Sequence, residues 1–200
     1  MNTIRIGSEY GGWTVDLDSI SDGDFIICGG VGEDITFETG LLKLKKVNPI
    51  LVDPTPKSHS YIENNFGNSL VMIKKAIAKR GTESVRLYRN SNPNHVSESV
   101  IPGHLSVSDS FYDADCVSVS ELIEQYNPSL IKIDIEGSEY SVLSECIGVK
   151  QICVEFHHHC IEGVSINSTL SMVKLMEDSG YKIIDNHRGL YQEMTFLKEA

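Results

Sequence analysis

Three acids crowd the stretch Ile131-Lys132-Ile133-Asp134-Ile135-Glu136-Gly137-Ser138-Glu139. An apolar run that closes on carboxylates and a glycine is a strand delivering acids to its own end. In a cleft such acids attract a cation, orient a hydroxyl or take up its proton. Glu136 and Glu139 are also placed to cap the helix that follows and to suit its dipole. A second apolar run ends in Glu155-Phe156-His157-His158-His159-Cys160. Consecutive side chains of an extended chain alternate in direction, so the three imidazoles do not converge on one ion, and no metal site is expected. His157, nearest the strand end, suits general base or substrate hydrogen-bonding chemistry near neutral pH. His158 and His159 read as ordinary loop residues.

A third stretch precedes these two. Phe25-Ile26-Ile27-Cys28 is an apolar run that leads into Gly29-Gly30-Val31-Gly32-Glu33-Asp34. Glycines let backbone approach a ligand closely, and a following helix N-terminus favours anionic groups. Further on, Ile50-Leu51-Val52 ends in Asp53. An acid at that strand end is placed to accept hydrogen bonds from ribose hydroxyls. The pair points to an adenosine-containing ligand, either NAD or S-adenosylmethionine. A plain tight turn and a solvated turn acid would have the same composition.

The elements that must position these groups alternate. Residues 1–24 read as a short hairpin or lid around Tyr10-Gly11-Gly12-Trp13. A buried strand at 25–28, a helix at 33–46 and a strand at 50–53 follow. The helix carries Phe37, Leu41 and Leu44 on one face and is stopped by Asn48-Pro49. A helix is expected at 57–65, and a stronger one marked by Leu70, Ile73 and Ile77 and ended by Gly81. Residues 84–90 read as the third strand, with 89–92 placed by position to contact an adenine. Residues 91–116 are rich in Ser, Asn, Asp and Pro and read as a long loop or small hairpin insertion. Helices then carry Val119, Leu122, Ile123 and Tyr126, then Tyr140, Leu143 and Ile147, then Ile166, Leu170, Val173 and Met176. Strands at 130–134 and 151–155 lie between them. Strands at 181–185 and 191–197 close the chain as an antiparallel hairpin around Asn186-His187-Arg188-Gly189. Such alternation predicts a mostly parallel sheet covered on both faces, with ligands at the carboxyl ends of the strands.

Composition narrows the function. With 28 acids against 17 bases the net charge is −11, and no basic stripe is present, which disfavours nucleic-acid binding. Five cysteines without Cys-x-x-Cys spacing read as reduced thiols. The N-terminus lacks a signal-peptide core and no run approaches a membrane span, so a soluble, cytoplasmic protein without membrane partners is expected. No P-loop lysine, Ser-His-Asp order or zinc signature is found.

These stretches resemble the FkbM family of S-adenosylmethionine-dependent methyltransferases. The likeness lies in Gly30-Val31-Gly32-Glu33-Asp34-Ile35-Thr36-Phe37-Glu38, in Val52-Asp53-Pro54-Thr55-Pro56, in the Lys132 to Glu139 piece extended to Tyr140, and in Val154-Glu155-Phe156-His157. Gly11-Gly12-Trp13 is similar to an element found ahead of that domain. The resemblance implies an α/β class I methyltransferase (Rossmann-like) fold: one domain over 1–200, with a seven-stranded mostly parallel sheet, a core at 25–200 and an antiparallel C-terminal hairpin. It implies S-adenosyl-L-methionine as cofactor, with Gly30, Gly32 and Glu33 at its methionine end, Asp53 at the ribose and Asp134 near the transferred methyl. It further implies O-methylation of a sugar or other small metabolite, with His157, Asp134 and Glu136 as catalytic candidates and His157 favoured as base. Cys28 and Ile26 depart from the pattern, standing where a glycine and an acid are common. A catalytically inactive binding module and an NAD-dependent oxidoreductase are the alternatives. The acceptor would be a small molecule or saccharide, and a homo-oligomer is compatible with the sequence.

Overall fold

The computed structural model describes residues 1–187 and 189–199; Arg188, expected in the last turn, and Ala200 lie outside the described residues. In chain order the elements are β1 (Thr3–Ile6), β2 (Trp13–Asp16), β3 (Phe25–Gly29), α1 (Thr36–Leu44), β4 (Asn48–Val52), α2 (Pro56–Phe66), β5 (Val71–Ile73), β6 (Ala76–Ile77), β7 (Ser84–Asn90) and β8 (Val107–Val117). They continue with α3 (Val119–Tyr126), β9 (Leu130–Ile133), α4 (Glu139–Val142), β10 (Gln151–Glu155), α5 (Ile166–Asp178), β11 (Tyr181–His187) and β12 (Glu193–Lys198).

The main sheet has seven strands in the order β11-β12-β10-β9-β3-β4-β5. Pairing is parallel from β10 through β5, and β12 runs antiparallel to both β10 and β11. The mostly parallel sheet and its antiparallel closing hairpin are therefore as expected. Central strands are buried on both faces, so their sequences are continuous apolar runs. Along β3, Ile26 and Cys28 face α1, while Ile27 packs towards α3, α4 and α5. The first face holds Phe37, Leu41, Trp13 and Val15; the second holds Leu122, Val142, Val173 and Phe196. Helix α3 begins with a capping box between Ser118 and Glu121.

The third strand of the sheet is not where the sequence placed it. It is β5, within the stretch read as a helix, and residues 70–81 contain β5 and β6 but no helix. Leu70, Ile73 and Ile77 have helical spacing, yet the unbroken run Leu70-Val71-Met72-Ile73 has β propensity and pairs with β4. β7 belongs instead to a separate three-stranded arm, β6-β8-β7. The expected insertion at 91–116 is the loop of this hairpin together with most of β8. The N-terminal segment forms the antiparallel β1–β2 hairpin. Trp13 is buried in the core.

Gly30 fixes how closely β3 and β9 approach at their ends. Its φ is +76°, and a Cβ there would stand 1.6 Å from the Asp134 carbonyl oxygen. The opposing atom is backbone, so neither side can yield without separating two strands. Gly30→Ala should lower stability by more than about 2 kcal/mol in urea unfolding. Gly23→Ala also has positive φ but meets no atom within 4 Å, and should cost only about 1 kcal/mol. Equal losses for the two variants would mean that the close approach is not rigid.

Candidate functional site

A cavity of about 470 Å³ opens at the carboxyl ends of β3, β4, β9 and β10. The turn after β3 forms one side. Gly30 N–H donates to the Val52 carbonyl at 3.0 Å, and the buried Lys132 ammonium donates to the Gly30 carbonyl at 2.6 Å. Lys132 also faces Glu38 of α1 at 3.9 Å. Burial works against its charge, but Glu38 and Asp134 outweigh that and raise its pKa. Asp34 accepts from Ser8 Oγ at 2.6 Å and from Thr36 N at 2.8 Å, tying the N-terminal hairpin to the start of α1. Burial opposes its ionisation, yet these bonds hold its pKa below the usual value.

Asp53 lies on the cavity wall and is buried. Its Oδ2 accepts from Val31 N at 2.8 Å and Gly32 N at 3.1 Å; its Oδ1 accepts from Thr55 N at 2.7 Å and Thr55 Oγ1 at 2.6 Å. A carboxylate offers about four lone-pair sites, and all are taken. Asp53, the residue expected to meet ribose hydroxyls, holds the glycine turn. Gly30, Gly32 and Glu33 line the cavity, and so do Tyr10 and Gly11. Residues 89–92 do not; because β5 is the third strand, the neighbouring wall is Ala76, Ile77 and Leu87.

The opposite side is an acid and imidazole cluster. Asp134 follows β9, and Glu136 sits at φ +53°, a left-handed conformation rarely adopted by a residue with a side chain. The fully buried Glu139, at the start of α4, accepts through Oε1 from Ile135 N at 3.2 Å, Gly137 N at 3.1 Å and His157 Nδ1 at 2.8 Å. It therefore organises the acid-bearing turn and orients His157 together. His157 Nε2 faces Glu136 Oε2 at 3.4 Å and Asp134 Oδ1 at 3.7 Å. His104, from the arm, stands 3.1 Å from Glu136 Oε2 and 3.3 Å from Cys160 Sγ.

The charges follow from this packing. Burial disfavours an imidazolium at His157, but Glu139, Asp134 and Glu136 prevail and raise its pKa well above the usual value. Burial pushes Asp134 up to about 6, although Lys132 and His157 pull the other way. Burial and then Asp134 push Glu155 up to about 8. For Glu136, burial is outweighed by His104 and His157, which lower it.

The structure brings Asp134, Glu136 and His157 together as one face of the cavity, with Glu155 beside them. His158 instead bonds Thr169 Oγ1 through Nδ1 at 2.9 Å, and His159 stacks on His157 at 6.1 Å. Sequence reading missed His104 and the role of Lys132. His104 lies in a polar segment without periodicity, and the Lys132 ammonium reaches its partner only across two strands.

Residues 23–183 match the methyltransferase FkbM domain. Among solved structures, the fibrillarin/Nop5p complex is 12% identical, covering 90% of this chain and 75% of that chain at a TM-score of 0.52. Precorrin-6y C5,15-methyltransferase from Geobacter metallireducens GS-15 is 10% identical, covering 92% and 85% at 0.49. M. jannaschii TYW2 in complex with AdoMet is 12% identical, covering 99% and 87% at 0.40. The likeness to the fibrillarin complex is one of fold. No curated protein matches the chain.

The saturation of Asp53 gives a test. Asp53→Asn places an NH₂ group among four donors, so at least one side of the carboxylate's bonds is lost. Its unfolding free energy should fall by about 1–3 kcal/mol without any ligand present. A side chain free to serve a ligand would leave unliganded stability unchanged.

Proposed function

The chain belongs to the FkbM methyltransferase family, and from that premise we propose that the cavity binds S-adenosyl-L-methionine and transfers its methyl group to a hydroxyl oxygen of a sugar or other small metabolite. The observation that carries this reading is the acid and imidazole cluster facing the glycine turn across one cavity.

The residues present suit the cofactor. The turn at Gly30 and Gly32 lines the cavity together with Val96, and the exposed Glu33 lies on the same wall. The carboxylates of Asp134, Glu136 and Glu155 complement a sulfonium and an amino group. Val52, Ala76, Ile77 and Leu87 provide an apolar wall for a purine. Asp53 supports the turn that carries these contacts. When bound, the cofactor would supply an electrophilic methyl group to the acceptor hydroxyl, and the protein's residues would take up the hydroxyl proton.

The protein's part is positioning and proton management. A neutral imidazole at His157 was the expected base. In this structure Glu139, Asp134 and Glu136 raise its pKa well above the usual value, which weighs against a neutral imidazole there. The favoured proton acceptor is then Asp134, with Glu136, His157 and Glu139 ordering the cluster around it. Several carboxylates converging on one face accept hydrogen bonds from several hydroxyls, which supports a neutral polyhydroxylated acceptor. The net charge of −11 is unfavourable for a phosphate-rich one. Five free thiols support a cytoplasmic setting; among the described residues no helix is long and apolar enough to cross a membrane.

Thermal-shift titration checks the cofactor. S-adenosylhomocysteine at a hundred times its Kd should stabilise the protein by about 2.7 kcal/mol, and NADH should not. Absence of S-adenosylmethionine binding at high micromolar concentration sinks the proposal. With a labelled methyl donor and a panel of hydroxylated acceptors, Asp134→Asn should slow transfer at least about 100-fold.

A further inference from the structure

We infer that Asp134 Oδ1, Glu136 Oε2 and His157 Nε2 form a binding site for a hard divalent cation of the Mn²⁺ or Mg²⁺ class. These three atoms lie within 4.8 Å of one another. For metal–ligand bonds of about 2.1 Å, donors at right angles stand about 3.0 Å apart and tetrahedral donors about 3.4 Å. The nitrogen-to-oxygen separations of 3.4 and 3.7 Å would have to shorten by about 0.4 and 0.7 Å to reach the right-angle value.

The histidine makes this more than a group of acids. Its side chain is 94% buried, being 6% exposed, and Nε2 hydrogen-bonds to none of the described residues. Glu139 Oε1 faces Nδ1 at 2.8 Å, which turns Nε2 towards the two carboxylates. A carboxylate behind a histidine whose other nitrogen faces acidic ligands is the usual support of a metal-bound imidazole. The positive charge facing the two carboxylates is that of His157 and of His104, whose Nε2 stands 3.1 Å from Glu136 Oε2, and a cation would take the place of the His157 proton. A proton supplies one unit; a divalent cation supplies two, matching the pair of acids. Two oxygens and one nitrogen suit Mn²⁺ or Mg²⁺ better than a thiolate-seeking metal. Cys160 stays outside the set, paired with His104.

Three protein ligands leave positions open, and the side chains of Asp134 and Glu136 are 31% and 20% exposed towards the cavity. In a role that rests on the methyl-transfer reading, the open positions receive the acceptor hydroxyl, whose oxygen is made more acidic by the cation. The site itself does not depend on that reading.

The test uses the whole chain and Mn²⁺ as probe. Calorimetry should give one Mn²⁺ per chain, and electron spin echo modulation should show a directly bonded nitrogen. Asp134→Asn, Glu136→Gln and His157→Gln should each weaken binding at least tenfold, and the nitrogen signal should vanish in His157→Gln. Glu139→Gln should weaken binding by about tenfold. Glu63→Gln, at an exposed acid paired with Lys74, should leave it unchanged. No binding below about 1 mM, or binding without nitrogen coupling, overturns the site. The wild-type nitrogen signal decides the matter even if a variant does not fold. Titration of S-adenosylhomocysteine on the same sample is scored separately: its failure would remove the methyl-transfer reading and leave the cation site standing.

Discussion

The close approach of the β3 turn to the end of β9 is the constraint on which the site depends. Only a glycine at position 30 allows the Asp134 carbonyl to come so near. Three further contacts tighten the junction: Lys132 on the Gly30 carbonyl, Asp53 on the amides of Val31 and Gly32, and Asp134 N on the Gly29 carbonyl. Two come from the end of β9 and one from the end of β4. The turn is thus a knot between β3, β4 and β9, and its ligand-facing backbone is set before any ligand arrives. That is the pre-organisation a methyl-transfer site needs, since its chemistry is mostly a matter of placement.

The same knot explains the charges around it. A buried ammonium such as Lys132 is expensive unless it is paired. At an effective dielectric constant of about 20, two unit charges 4 Å apart attract by about 4 kcal/mol, the order of the penalty that Glu38 must offset from 3.9 Å. Both Glu38 oxygens lack hydrogen-bond partners among the described residues, so this attraction is carried by charge rather than by bonding. On the cavity side the acids outnumber the bases. Asp134 and Glu155 are pushed up by burial, while Glu136 is lowered by its two histidines. The cluster is therefore divided between groups that hold a proton readily and a group that stays ionised, which is how neighbouring carboxylates take different roles.

Much of this was legible in the sequence because it depends on local pattern. The apolar runs ending in Gly29, Asp134 and Glu155 are strands whose ends line the cavity, and the closing hairpin follows from two runs around a polar turn. What was not legible depends on distance across the fold. Val71 to Ile73 is a strand only because β4 offers an edge, and the same residues fit a helical stripe. Asp53 stands where a ribose ligand would be expected, and nothing in its neighbours reveals that four donors will occupy it. Glu139 reads as a helix cap but bonds the amides of Ile135 and Gly137 ahead of α4, and its bond to His157 links residues that sequence separates and the parallel β9–β10 pair brings together. His104 carried no signal at all.

That histidine shows how the arm and the site are joined. Ser99 Oγ donates to the Glu136 carbonyl at 2.5 Å, and His104 meets the Glu136 side chain. A left-handed conformation at a residue with a side chain costs about 1–3 kcal/mol, so Glu136 holds it only because surrounding contacts impose it. Two of those contacts come from the segment between β7 and β8. The same segment places Val96 against Gly32 and is strapped to α2 by Lys57, which bonds the carbonyls of Pro93 and His95. On its other side it pairs with the loop after β10, through Leu105 N to the Cys160 carbonyl and Glu162 N to the Gly103 carbonyl. One polar segment thus covers the glycine turn, fixes the strained acid and braces the histidine loop. The geometry of the acids is not separable from the wall that would meet an acceptor, and a change in that wall alters chemistry as well as selectivity.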